Sequence, residues 1–196
     1  MAKSIDYFFS AGSPWSYLGH QRFAEMATRH GATVQVKPVD YARVFPLSGG
    51  LPLKQRPLQR QAYRMAELKR FRAHLGVPLT LEPKFFPVSG DPAALAIIAA
   101  DALAGPAAAM QLAFACMRAC WAEERNIGDA DMVAAIVREQ GLDATKLDRV
   151  AAKGKYDAFT EEAIALGVFG APTYVIAGEL FWGQDRLAFV ERALAR

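Results

Sequence analysis

Ser13-Pro14-Trp15-Ser16 sets two hydroxyls three residues apart where an aromatic, strand-like run turns into a helical one. A serine side chain accepts from free N–H groups at a helix start, and proline suits the first helical position, so Ser13 reads as an N-cap. The same geometry serves chemistry, because unpaired N–H groups and the positive end of the helix dipole favour an anion, a thiolate included. A second candidate is Gly167-Val168-Phe169-Gly170-Ala171-Pro172-Thr173-Tyr174-Val175. Pro172 cannot donate to a sheet ladder and must begin or edge its strand. The general rarity of cis X-Pro bonds, about 5–6% in folded proteins, leaves Ala171–Pro172 trans.

Residues 54–72 hold seven basic side chains, among them Arg56, Arg60 and Arg64, against one acid, Glu67. Those three arginines recur every four residues and share a helix face, either a solvated basic face or a field that attracts anions. Cys116 and Cys120 share another helix face and read as small apolar core residues. His20, His30 and His74 are scattered without metal-ligand spacing, and no metal is expected.

The surrounding pattern shows what must position these groups. Ile5-Asp6-Tyr7-Phe8-Phe9 predicts a buried strand, Pro14 to about His30 a helix stopped by Gly31, and Thr33-Val34-Gln35-Val36-Lys37 a second strand. Residues 38–57, punctuated by Pro46, Gly49, Gly50, Pro52 and Pro57, read as loop. Leu58 to Leu75 keeps helical spacing, and alanine-rich helices follow at about 91–104, 106–122, 129–140 and 143–167. Thr173–Ile176 and Glu179–Trp182 predict a hairpin around Ala177-Gly178, with positive φ at the glycine. A last helix runs from about Asp185 to Leu194. Taken alone, Asp185 reads as its N-cap or as a carboxylate suited to an ammonium group, and Trp182 as hairpin core.

The chain has 196 residues, 53% hydrophobic and 22% charged. At that size about 70% of the unfolded surface can be buried, so no disulfide or metal staple is needed. Two cysteines exclude a disulfide scaffold, and the apolar fraction excludes disorder. No apolar run approaches the ~18 residues of a membrane span, and Asp6 falls where a signal peptide would turn apolar. A cytoplasmic setting is expected, with no membrane partner. A net charge of +3 is too mild to imply nucleic acid.

A β-α-β start with S-x-x-S at its helix and a β-β-α finish opening on Ala-Pro-Thr resembles the thioredoxin fold. There a cis-proline faces the helix start, and helices can be inserted between the halves. Its redox members carry C-x-x-C where Ser13 and Ser16 stand, and a serine pair cannot run thiol–disulfide exchange. The Gly-Val-Phe-Gly-Ala-Pro-Thr-Tyr run, with Gly178-Glu179-Leu180-Phe181-Trp182-Gly183-Gln184-Asp185-Arg186-Leu187, resembles the 2-hydroxychromene-2-carboxylate isomerases. These are relatives of kappa-class glutathione transferases. Ser-Pro-Trp-Ser-Tyr-Leu, Tyr63-x-x-x-Glu67-Leu68-x-Arg70 and Gly76-Val77-Pro78 fall in the same order, so the resemblance spans essentially the whole chain. The chain departs from the family pattern at Ser10, where many members have Asp, and at Arg60 and Glu67, commonly Lys and Asp.

The resemblance implies an α/β, thioredoxin-like fold, with residues 1–45 and 166–196 forming one domain around an all-helical insertion at 46–165. It implies a glutathione site in which Ser13 holds the sulfur as thiolate. Ala171, before a cis Pro172, would pair with the cysteinyl backbone, while Trp182, Gly183, Gln184 and Asp185 receive the γ-glutamyl end. Phe45, Arg56 and Phe85 are the implied substrate contacts, Arg56 foremost. The implied activity is glutathione-dependent interconversion of 2-hydroxychromene-2-carboxylate and trans-o-hydroxybenzylidenepyruvate in aromatic catabolism, by a homodimer acting on a small aromatic carboxylate. A kappa-like glutathione transferase or peroxidase, and a non-catalytic binding module of the same fold, share these motifs.

Overall fold

The structure is a computed structural model and describes residues 3–196. On β1 (Ser4–Phe9) alternate side chains divide between two cores: Ile5, Tyr7 and Phe9 join the main one, and Phe8 a smaller one. A strand covered on both faces belongs in the middle of its sheet. Helix α1 (Pro14–Arg29) follows, and β2 (Thr33–Pro38) returns parallel to β1. Six helices come next: α2 (Tyr41–Ser48), α3 (Leu58–Leu75), α4 (Asp91–Ala104), α5 (Pro106–Trp121), α6 (Ala130–Glu139) and α7 (Arg149–Ala165). The hairpin β3 (Thr173–Ile176) and β4 (Glu179–Trp182) and helix α8 (Leu187–Leu194) complete the chain. The sheet order is β2-β1-β3-β4, antiparallel at both β3 contacts. This is the thioredoxin-like α/β architecture with inserted helices.

Register explains why distant segments meet. Phe8 pairs with Thr173, Phe9 with Pro38, and Thr173 with Trp182. Residues that follow β1, β2 and β4, and those that precede β3, therefore all leave the sheet at one end.

Two local expectations are corrected and a third is extended. Residues 38–57 are not all loop: Asp40 accepts from the Ala42 N–H at 2.9 Å, Gly49 ends the helix at φ 73°, and Tyr41 and Val44 are buried, giving α2 despite Pro46. A helix over 143–167 is interrupted, because Asp143 caps a short 3₁₀ turn and Asp148 caps α7 separately. In the hairpin turn both Ala177 (φ 48°) and Gly178 (φ 82°) are left-handed, the pairing a type I′ turn demands.

The main core holds one buried titratable group of consequence. His20 is 2% exposed, with Nε2 3.0 Å from the Met110 carbonyl and Nδ1 3.2 Å from the Tyr7 hydroxyl. A carbonyl only accepts, so Nε2 carries the proton and Nδ1 accepts from Tyr7. Burial pushes the imidazole pKa down to about 4. The unfolded chain therefore takes up this proton first as pH falls. Stability that is intact above about 6.5 is expected to drop by up to about 3 kcal/mol between there and pH 4, read as a falling urea midpoint. A midpoint flat over that window would contradict the buried neutral histidine.

Cys116 and Cys120 lie buried on α5, and burial pushes both thiols up to about 12. At neutral pH neither is a thiolate nucleophile. Among the described residues no helix is long and apolar enough to cross a membrane.

Candidate functional site

The α1 start offers an anion two donors. Ser13 is extended (φ −89°, ψ 122°) and its Oγ accepts from the Ser16 N–H at 3.2 Å. Accepting there leaves the hydroxyl proton free to be donated outward. Pro14 brings no N–H, which leaves the Trp15 N–H without a partner among the described residues. The dipole of a 16-residue helix adds partial positive charge at the same point. Ser16 itself is fully buried, and its Oγ has no hydrogen-bond partner.

Opposite β1, the Ala171–Pro172 bond is cis, as the resemblance implies and the bare frequency does not. Among the described residues the Ala171 N–H and C=O make no hydrogen bond, whereas the Pro172 carbonyl accepts from the Gly183 N–H at 2.9 Å. Gly183 sits at φ 113°, and a Cβ there would come 2.6 Å from Asp185 Oδ1. This tight bend fits only glycine. Asp185 does not cap α8: Arg186 occupies that position, and Asp185 pairs with its guanidinium at 2.7 Å. Trp182 is not core either. It is half-exposed, its ring 4.7 Å from Phe169 and its indole lying over Gly170.

Gln184 is fixed by a residue the sequence did not disclose. Arg22 donates to the Gln184 carbonyl at 3.1 Å, to the Leu18 carbonyl at 3.3 Å and to Gln184 Oε1, locking a side chain only 2% exposed. Gly19 makes the approach possible, since a Cβ there would sit 2.8 Å from Gln184 Cβ. A glycine one turn before an arginine on an otherwise bulky helix was the available signal.

A cavity of about 440 Å³ joins these parts. Ala171, Trp182, Gly183, Gln184 and Asp185 line it, together with Arg56, Arg60, Arg64 and the rings of Trp15, Tyr63 and Phe71. Ser13 and Pro172 are not lining residues themselves; they lie two residues from Trp15 and next to Ala171 in the chain, at the same sheet end. Phe45 lies beneath Arg56, whose guanidinium is 6.0 Å from the ring centre, and is not itself lining. Phe85 also lies outside the lining, with the Lys84 ammonium 5.1 Å from its ring. The basic stretch divides by burial: Arg60, Lys69, Arg70 and Arg72 are exposed, whereas Arg56 and Arg64 are half-buried. Burial, aided by the neighbouring Arg60 charge, lowers the Arg56 pKa, and the group remains a cation at neutral pH.

Residues 4–195 match the family model of the DSBA-like thioredoxin domain. The chain is 32% identical over 200 residues to a 2-hydroxychromene-2-carboxylate isomerase of Pseudomonas putida, covering 98% of this chain and 94% of that one. It is 30% identical over 199 residues to the enzyme so named in Sphingobium xenophagum, covering 99% of each. The chain belongs to the 2-hydroxychromene-2-carboxylate isomerase family. A solved isomerase structure of this family superposes with TM-score 0.80 at 29% identity, over 98% of this chain and 95% of that one. The cytosolic disulfide reductase DsbM from Pseudomonas aeruginosa with GSH shares the fold at TM-score 0.68 and 21% identity, over 98% of this chain and all of the other. Isomerase relatives thus run the full length of the chain, and the redox members of the fold resemble it in architecture alone.

Proposed function

We propose that the chain is a glutathione-dependent isomerase that interconverts 2-hydroxychromene-2-carboxylate and trans-o-hydroxybenzylidenepyruvate. The observation that carries this reading is the single cavity running from Ala171 and the end of the hairpin to three arginines. Its donors suit glutathione. The N–H and C=O of Ala171, unpaired among the described residues, match a peptide, and the Asp185 carboxylate an ammonium group. GSH on a neighbour of the same fold supports this match.

When bound, glutathione supplies a thiolate that adds reversibly to a conjugated carbon, so that the adjacent bond becomes single and can rotate. The chain's own share is to hold charge in place. The Ser13 hydroxyl and the Trp15 N–H donate toward negative charge at the helix start. Arg56 and its neighbours offset a substrate carboxylate. Cys116 and Cys120, buried and protonated, do not compete as nucleophiles. The setting that fits is a cytoplasmic homodimer acting on a small aromatic carboxylate in aromatic catabolism.

Enzyme, glutathione and 2-hydroxychromene-2-carboxylate are incubated while substrate absorbance and free thiol are followed together. Isomerisation that requires glutathione and leaves the thiol titre constant is expected. Steady thiol loss would transfer the site to kappa-like transferase or peroxidase chemistry. No turnover together with no glutathione binding at millimolar concentration would leave a binding module.

A further inference from the structure

We propose that Arg64 is the side chain by which the cavity selects an aromatic ligand bearing a carboxylate, pairing with that carboxylate while the ring packs by Trp15 and Phe71. The ligand class rests on the isomerase reading; the role of Arg64 rests on what surrounds its guanidinium.

Arg64 is half-buried on α3 and lines the cavity. Its guanidinium stands 5.4 Å from the centre of the Phe86 ring and 5.9 Å from that of the fully buried Trp121. Ring faces offset part of the cost of desolvating a cation but supply no counter-charge. Among the described residues no carboxylate pairs with Arg64. The two acids of the cavity are already engaged, Glu67 by Arg70 and Asp185 by Arg186. Arg56 is partly satisfied, its Nε donating to the Leu51 carbonyl at 2.8 Å, and Arg60 is exposed to water. Among the described residues Arg64 is therefore the half-buried cavity arginine without an anion or a backbone acceptor, its guanidinium donating only to the Met65 sulfur at 3.8 Å.

An uncompensated buried charge lowers stability unless something negative arrives to meet it. Burial and the Arg56 charge push the Arg64 pKa down to about 10, which leaves it cationic at neutral pH. Beside it, Trp15 and Phe71 meet edge to face at 6.0 Å and give a ligand ring an apolar wall. Cation and wall together describe a flat acid. They also place Arg64 ahead of Arg56, the arginine that the sequence ranks first.

The test compares trans-cinnamate with uncharged cinnamamide by calorimetry on the glutathione-free protein, wild type and Arg64→Met, alongside turnover. Wild type is expected to prefer the acid. Arg64→Met should bind the acid about tenfold more weakly, bind the amide and glutathione within twofold of wild type, and melt at the same or a higher temperature. Arg64→Lys should recover part of the preference for the acid, and Arg56→Met should lose less of it. An unchanged preference in Arg64→Met, an equal or larger loss in Arg56→Met, or a lower melting temperature with both ligands weakened would overturn the assignment. Isomerisation with no Arg64 effect sinks this inference alone. An Arg64-dependent preference in a protein that does not isomerise sinks the reaction and keeps the acid subsite.

Discussion

Ser13→Ala is expected to lower turnover of 2-hydroxychromene-2-carboxylate by about 100-fold or more, because one preorganised donor to negative charge is lost. The glutathione dissociation constant should move far less, since the contacts offered by Ala171, Gln184 and Asp185 remain in place. What changes is the charge on sulfur. Without the hydroxyl, only the Trp15 N–H and the helix dipole favour thiolate over thiol, and the bound thiol pKa should rise by about one to two units. The sign follows: at fixed pH less thiolate is present, so the variant's activity profile shifts to higher pH and rises where the wild type is already flat. The ultraviolet absorbance of the thiolate, titrated in the complex, reads this directly. The lost N-cap bond to Ser16 also costs about 1 kcal/mol of stability, a separate quantity measured by urea denaturation. Ser13→Thr keeps both the cap and the hydroxyl and should retain a substantial part of the rate. A variant that loses stability but keeps its rate and thiol pKa would reduce Ser13 to a cap.

That Ser13 can do both jobs explains why local sequence alone left its role open. A cap and an anion donor use the same residue type in the same place, and a hydroxyl has separate accepting and donating capacity to serve each. The strands were legible for a simpler reason. Ile5 to Phe9 is dense in aromatic and β-favouring residues, and Val34 and Val36 alternate with Thr33, Gln35 and Lys37, a period of two that needs no partner to be read. The α2 helix was obscured by its own punctuation. Pro46 and two glycines dominate the stretch, but Asp40 at one end and Gly49 at the other act as caps, and Tyr41 and Val44 fall one turn apart against β1.

The site itself was legible where one segment carries it and illegible where two must meet. Trp182 to Asp185 could be picked out as a run, and they do line one cavity. Arg22 lies 162 residues from Gln184 in sequence, and the glycine one turn before it signals only a close approach to α1, not that a guanidinium will hold a glutamine from the last hairpin. The same gap separated Arg64 from Arg56. The four-residue spacing put them on one helix face, but α3 begins only at Leu58 and Arg56 lies ahead of it, while the Phe86 and Trp121 rings beside Arg64 come from other segments of the chain. The cap, one of two readings open for Asp185 in the sequence, is removed by the structure, where the left-handed bend at Gly183 precedes a helix start at Arg186.

Gly19→Ala is expected to weaken glutathione binding by about thirtyfold although residue 19 lies outside the cavity lining. In an isolated helix the change is favourable, since alanine exceeds glycine by about 1 kcal/mol in propensity. At this position the new Cβ would lie 2.8 Å from Gln184 Cβ, 3.4 Å from Gln184 Cα and 3.3 Å from the Tyr174 hydroxyl. The nearest atoms belong to the root of a buried side chain, which cannot swing aside as a flexible tip would. Overpacking of this kind costs about 1–3 kcal/mol, which exceeds the propensity gain. Relief requires Gln184 to move off α1, loosening its bonds to Arg22 and carrying Gly183 and Asp185 with it. A displacement worth about 2 kcal/mol at the subsite proposed for the ammonium group corresponds to the thirtyfold loss. Gly154 supplies the contrast: it sits inside α7 with open space around the position of a Cβ, so Gly154→Ala should stabilise the fold by up to about 1 kcal/mol and leave binding unchanged. Urea midpoints of the two variants should therefore shift in opposite directions for the same chemical change, while calorimetry with glutathione should show a loss for Gly19→Ala alone. If Gly19→Ala also proves more stable and binds glutathione as wild type does, the close approach of α1 is not what positions Gln184.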